Sequence, residues 1–307
     1  MMEARSSRHD CTLRVKAPAK VNLWLEVLGR RPDGYHEIRT VMQAVSLYDD
    51  LSFRQRGDGR VVLHARGDGL PADEENLVVR AARLLKQRLG CPAGVEARLH
   101  KRIPVARGLG GGSSNCAATL RALSRLWRLE LRQGDLQRLA AELGSDVPFF
   151  LNGGTALCEG RGERVTQLAV RGTFHYVLVI PPQPLSTRSV YQRLDGCLTS
   201  EGQGSSMEEV QRALARGDPR QLVVAVHNAL LIPALQLSPD TRRIAGILES
   251  VLPLAGGRGC FLSGSGSALF GVFDTAEQAR RAARKVKRQL GVVALAVESL
   301  PAMGSEH

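Results

Sequence analysis

The chain has 307 residues, enough for one large domain or two of ordinary size. A hydrophobic content of 43% excludes wholesale disorder, and no apolar run approaches the length of a membrane span. Lys and Arg exceed Asp and Glu by 12, which suits anionic partners such as nucleotides and phosphorylated metabolites. The basic residues are dispersed and aromatics make up only 4%, which argues against nucleic-acid binding as the main function.

In chain order, Met1 to Asp10 carries charges but no apolar core, so no export signal is expected and the chain reads as cytoplasmic. Residues 11–17 alternate as a strand, Pro18 interrupts it, and residues 20–28 alternate again, placing Lys20 and Asn22 on one face. Arg31-Pro32-Asp33-Gly34 marks a turn, with strands predicted at 37–46, 50–55 and 60–65. Apolar spacing from Asn76 to Leu89 predicts a helix closed by Gly90, and 94–100 predicts a strand.

That strand leads into Pro104-Val105-Ala106-Arg107-Gly108-Leu109-Gly110-Gly111-Gly112-Ser113-Ser114, the most informative run in the chain. Glycine lets backbone N–H groups approach a ligand closely, and a helix N-terminus adds unpaired donors and a positive dipole end. A helical stripe of Cys116, Leu120, Leu123 and Trp127 follows, which Ser113 is placed to cap, so the loop reads as a polyphosphate site. No Lys follows Gly112, which excludes a Walker A loop, and Ser113 stands where a dinucleotide fingerprint needs glycine.

A helix is predicted at 135–142, then strands near 154–159, 164–169 and 174–180. Pro181-Pro182-Gln183-Pro184 marks a boundary, dividing the chain into units 11–180 and 181–298. Beyond it the pattern predicts helices near 188–194, 207–215, 219–230 and 240–251, with a soft loop at 202–206. Strands at 258–262 and 267–273 follow, joined by Ser263-Gly264-Ser265-Gly266, then a helix at 275–290 and a strand at 291–298. The mixed order predicts an α+β fold. Six scattered cysteines without a Cys-x-x-Cys pair point to free, buried thiols.

The loop resembles the phosphate loop of the GHMP kinase superfamily, the small-molecule kinases that include galactokinase and the homoserine, mevalonate and phosphomevalonate kinases. Ala17-Pro18-Ala19-Lys20-Val21-Asn22-Leu23, Arg31-Pro32-Asp33-Gly34-Tyr35-His36-Glu37 and Gly144-Ser145-Asp146-Val147-Pro148-Phe149-Phe150 extend the likeness over residues 11 to 298. These segments are most similar to members whose acceptor alcohol carries a cytidine diphosphate and is phosphorylated on its 2-hydroxyl, on the route to isoprenoid precursors. The resemblance implies a two-lobed fold: an N-terminal ribosomal-protein-S5-like α/β domain and a C-terminal ferredoxin-like α+β domain with the site between them. It implies ATP and Mg²⁺ as cofactors, a small-molecule acceptor, no nucleic-acid or membrane partner, and a monomer or homodimer.

The same resemblance makes Asp146 the catalytic base and Lys20 its cationic partner. It makes Pro104 through Ser114 the ATP loop, with Ser113 or Ser114 near Mg²⁺, and Tyr35, His36, Tyr191 and Asn22 the acceptor-binding residues. Two rivals are another acceptor, such as homoserine or mevalonate, which offers no base for Tyr35 and His36, and a silent nucleotide- or RNA-binding protein. Three departures stand out. Arg107 replaces a small residue and is expected to favour solvent. Cys116 replaces alanine, and His227-Asn228-Ala229-Leu230 lacks the usual acidic residue.

Overall fold

A long antiparallel hairpin organises the first lobe: β1 (Thr12–Arg30) pairs along its length with β2 (His36–Arg56). The computed structural model describes residues 12–67, 70, 73–195 and 206–303. Most of the soft loop at 202–206 and two of the cysteines, Cys11 and Cys197, lie outside the described residues. Pro18 does not end the first strand. A register shift between Pro18 and Ala19 absorbs its missing donor, so two predicted strands are one, and the same holds for the two within β2.

The start of β2 pairs with β5 (Thr155–Gly160), and its end with β4 (Gly94–His100), which lies parallel to β3 (Val61–Arg66). β6 (Arg164–Gln167) extends β5. Helix α1 (Leu77–Leu89) is capped by the Asn76 side chain, which accepts from Val78 N at 3.0 Å, and Gly90 ends it in the left-handed region at φ 60°. Helices α2 (Gly111–Leu126), α3 (Gln133–Leu143) and α4 (Val147–Asn152) join it over a core containing Phe53, Leu85, Leu120 and Phe149.

The second sheet runs β11 (Val293–Glu298), β7 (His175–Ile180), β10 (Leu269–Phe273), β9 (Gly257–Leu262), all antiparallel. The period of two sorts the side chains of β7. Tyr176, Leu178 and Ile180 enter a core shared with β1, α6 (Met207–Arg216) and α7 (Pro219–Ala225). Val177 and Val179 enter a core with α9 (Pro239–Leu254) and α10 (Ala276–Leu290). β7, assigned by the sequence to the unit ending at 180, therefore pairs within the second sheet, and the chain changes lobe between β6 and β7.

The helix predicted at 219–230 is broken. α7 stops at Ala225, and β8 (His227–Asn228) adds a short parallel edge to β1 before α8 (Leu231–Leu237). The apolar periodicity of this stretch arises from two helices and a strap rather than one helix. The two lobes form the α+β arrangement that the sequence predicts. Cys116 and Cys158 are free and fully buried, and burial pushes both thiols far up, so they are inert packing groups.

Candidate active site

The glycine run joins β4 to α2. Ala106, Gly108 and Gly110 take φ values of 54°, 74° and 69°, so every second residue is left-handed. Alternation of this kind turns successive N–H groups to one side and makes a concavity for anions. Gly110 is the N-cap, so α2 begins two residues before Ser113, which lies in the first turn and does not cap it. A left-handed glycine makes the turn here, and no side chain takes up the first N–H groups.

The loop is held closely from both sides. A Cβ on Gly110 would lie 2.8 Å from the Phe150 ring and 3.0 Å from Lys20 Cγ, and one on Gly108 would lie 2.0 Å from the Ser263 carbonyl oxygen. Beneath it, the fully buried Asp49 accepts from Arg102 N at 2.7 Å, Ile103 N at 2.8 Å and Asn115 Nδ2 at 2.9 Å, and forms an ion pair with Lys101. Burial lowers the Lys101 pKa, and Asp49 opposes that shift. Asp49 thereby ties the end of β2, the start of the loop and α2 together.

At the mouth of the loop, Lys20 N donates to Leu109 O at 3.0 Å, which fixes β1 against the glycine loop. Lys20 is 3% exposed, its Nζ donates to Asn22 Oδ1 at 2.5 Å, and it stands 3.7 Å from Asp146 Oδ2. Burial lowers its pKa, and the Asp146 charge partly restores it. Asn22 Nδ2 donates to Thr40 Oγ1 at 2.8 Å, and Thr40 Oγ1 donates to Trp24 O, so the Asn22 amide orients the ammonium. Asp146 occupies the N-cap position of α4, yet its carboxylate makes no capping hydrogen bond. Its side chain lines the cleft instead of closing the start of α4.

The Ser263–Gly266 turn joins β9 to β10, with Ser263 N donating to Ala268 O at 3.0 Å. It also reaches the site. Ser263 Oγ donates to Gly108 O at 3.0 Å, and a Cβ on Gly264, at φ 55°, would lie 3.1 Å from Lys20 Nζ. Asn228 Nδ2 donates to Leu262 O at 2.9 Å and Gly264 O at 2.8 Å, so the strap at β8 pins this turn. Arg107 does not simply point to solvent: its guanidinium donates to Pro182 O at 2.6 Å and Ser267 Oγ at 3.2 Å, linking the loop to the second lobe.

At the far end, the β1–β2 turn is built by Asp33, which accepts from Tyr35 N at 3.1 Å and Arg31 Nε at 3.2 Å, with Gly34 at φ 84°. Tyr35 is 54% exposed, and the Arg161 guanidinium lies 5.0 Å from its ring centre. Helix α5 (Thr187–Asp195) brings Tyr191 opposite this turn, where the ring stacked on it is that of His36, at 4.7 Å and 29°.

One cleft of about 1020 Å³ gathers Lys20, Asn22, Tyr35, His36, Asp146, Tyr191 and the loop from Pro104 through Ser113. Ordinary ligand pockets reach roughly 1,000 Å³, so this one has room for two nucleotide-sized molecules. Ser114 is not among them. It is 1% exposed, its Oγ has no partner among the described residues, and it faces a separate hollow lined by Leu13, Ala118 and Phe150. On a helix, neighbouring serines diverge by about 100°, and only Ser113 faces the cleft. Sequence reasoning missed Asp49, Thr40, Lys101, Arg161 and Asp195. Of these, Asp49 and Lys101 carried a signal, as charges adjoining apolar strand positions.

Residues 76–154 match the GHMP kinases N terminal domain and residues 209–292 match the GHMP kinases C terminal domain. A 4-diphosphocytidyl-2-C-methyl-D-erythritol kinase of Pelotomaculum thermopropionicum is 43% identical over 272 residues, covering 89% of this chain and 93% of that protein. The chain belongs to the 4-diphosphocytidyl-2-C-methyl-D-erythritol kinase family of GHMP kinases. A second relative so named, from Syntrophus aciditrophicus, is 42% identical over 270 residues, covering 88% of this chain and 93% of its own. The crystal structure of a 4-(cytidine 5'-diphospho)-2C-methyl-D-erythritol kinase superposes with a TM-score of 0.77 at 38% identity, covering 94% of this chain and 99% of that one. A homoserine kinase from Cytophaga hutchinsonii shares the fold at a TM-score of 0.72 and 21% identity, covering 96% of each chain. The chain is thus a kinase of the GHMP fold, and among the described residues no helix is long and apolar enough to cross a membrane.

Proposed function

We propose that the cleft transfers the γ-phosphate of ATP to the 2-hydroxyl of 4-diphosphocytidyl-2-C-methyl-D-erythritol, with Asp146 as general base. The carrying observation is the Asp146 carboxylate, free of any capping role and 3.7 Å from the buried Lys20 ammonium beside the phosphate loop. Phosphoryl transfer asks a protein for positioning and charge stabilisation more than for covalent chemistry. The N–H groups from Ala106 to Ser113 and the start of α2 receive the triphosphate. Asp146 accepts the proton of the acceptor hydroxyl, and Lys20 offsets charge on the transferred group. Asn22 and Gly264 keep Lys20 aimed, one by a hydrogen bond and the other by close approach.

The donor set suits magnesium. It takes oxygen ligands, keeps several waters and is completed by substrate phosphates, so one hydroxyl and one carboxylate suffice. Ser113 and Asp146 both line the cleft and would hold it. The chemistry such an ion would supply is neutralisation of the charge that develops on the phosphates. Tyr35, His36 and Tyr191 receive the cytosine at the other end, and Arg161 adds positive charge beside Tyr35. This set of groups fits a monomer and a homodimer alike, and the use of ATP suits a cytoplasmic reaction.

The test is turnover by Asp146→Asn with saturating ATP·Mg²⁺ and cytidylated acceptor. Loss of a general base lowers kcat by about 10²–10⁴-fold. Near-normal turnover by folded Asp146→Asn would remove the aspartate from this role.

A further inference from the structure

Asp195, the last residue of α5, belongs to none of the sequence motifs. Its Oδ1 lies 2.7 Å from His36 Nε2, which places the proton on Nε2 with the carboxylate as acceptor. The His36 side chain is 10% exposed and that of Asp195 28%, so the contact is largely shielded from water. A framework holds both partners. Val190 and Leu194 dock α5 on the second lobe, and Thr187 Oγ1 meets Ser265 Oγ at 2.8 Å at its start. His36 begins β2 and pairs with Arg30 across the hairpin.

The hydrogen bond made by one imidazole nitrogen decides the state of the other. With Nε2 donating to Asp195, the neutral ring carries a lone pair on Nδ1, which has no protein partner among the described residues. The His36 ring lies nearly parallel to that of Tyr191, so a base bonded edge-to-edge with the imidazole is oriented to overlap Tyr191 as well. Cytosine carries an amine on its exocyclic position and uracil carries a carbonyl. An amine donates to the Nδ1 lone pair, whereas a carbonyl sets lone pair against lone pair.

We propose that Asp195 makes the acceptor site specific for cytosine over uracil by holding His36 as the Nε2–H tautomer. This deepens the function proposed above and rests on it. Asp195 acts through His36 and is a positioning residue, not a catalytic one.

The test compares kcat/KM for cytidine- and uridine-diphosphate forms of the acceptor in the wild type, Asp195→Asn and Asp195→Ala. A mismatched buried polar pair predicts a wild-type preference on the order of 10²-fold for the cytidine form. In Asp195→Asn the amide can donate to Nε2, which moves the proton to Nδ1, so the preference narrows at least tenfold (roughly one hydrogen bond). Asp195→Ala loses the preference and raises KM for both forms. ¹⁵N spectra of histidine-labelled protein, assigned with His36→Asn, read the tautomer directly: Nε2 protonated and Nδ1 bare in the wild type, and a shifted ratio in Asp195→Asn. An unchanged preference in folded Asp195→Asn, or a protonated Nδ1 in the wild type, overturns the inference. A wild type that cannot turn over the cytidylated acceptor defeats the proposed function instead, and the tautomer spectra still decide the arrangement of Asp195 and His36.

Discussion

Replacing Lys20 by Met separates chemistry from stability. Lys20 Nζ is 3.7 Å from Asp146 Oδ2, a spacing at which two unit charges at an effective dielectric near 20 attract by roughly 4.5 kcal/mol. The Asp146 side chain is 30% exposed, so water screens part of this, and about 2 kcal/mol, or ~30-fold, is the share lost. Removing a donor aimed at charge that develops in the transition state costs about 10²-fold more. Together kcat falls roughly 10³-fold. The fold tolerates the change, because Met matches the length of Lys and relieves the burial of a cation; Asp146 loses its partner but stays in contact with water, and Asn22 Oδ1 loses a donor worth about 1 kcal/mol. Burial lowers the Lys20 pKa below its ordinary 10.5. The ammonium is the active form, so wild-type turnover declines as pH rises through that lowered value, and this decline is absent from the Met variant. Coupled ADP release across pH, with thermal unfolding alongside, measures both. Turnover within tenfold of wild type, or an unchanged alkaline decline, refutes the role given to Lys20.

Gly108→Ala forces a Cβ to within 2.0 Å of the Ser263 carbonyl oxygen at φ 74°. Overpacking and left-handed strain together cost about 2–4 kcal/mol, so unfolding shifts down and ATP binding weakens, read by denaturant titration and nucleotide calorimetry. Asp49→Asn strands the Lys101 ammonium in the interior and costs about 3–5 kcal/mol in urea unfolding; a loss below 1 kcal/mol would mean that the ion pair is not the anchor of the loop. Tyr191→Ala removes a stacking ring and raises acceptor KM by about 10–100-fold with kcat nearly kept, and a fall confined to kcat would place the ring elsewhere than against the base.

Much of the site is legible in the sequence because its parts are local. The strand β4 and the bounds of α1 follow from apolar periodicity and the closing Gly90, and the anion-site reading of the loop follows from glycine spacing. Lys20 and Asn22 share a face by the period of a strand, and their hydrogen bond bears that placement out. What the sequence hides is set by distant partners. Pro18 reads as a break, but the long partner β2 accommodates it with a register shift. The stretch 219–230 reads as one helix, but pairing with β1 and the pinning of the glycine turn by Asn228 break it. Asp195 and His36 stand 159 residues apart, and neither spacing nor pattern links them. Ser113 and Ser114 look equivalent in the motif, and only the rotation of α2 separates the cleft residue from the buried one.

The most direct test of the account is ADP release with ATP·Mg²⁺ and four conditions: cytidylated methylerythritol, mevalonate, homoserine and no acceptor. Turnover is expected with the cytidylated acceptor alone. Equal or faster turnover with mevalonate or homoserine would contradict the roles given to Tyr35, His36 and Tyr191, and no turnover with any acceptor by folded, ATP-binding protein would contradict the assignment of the cleft.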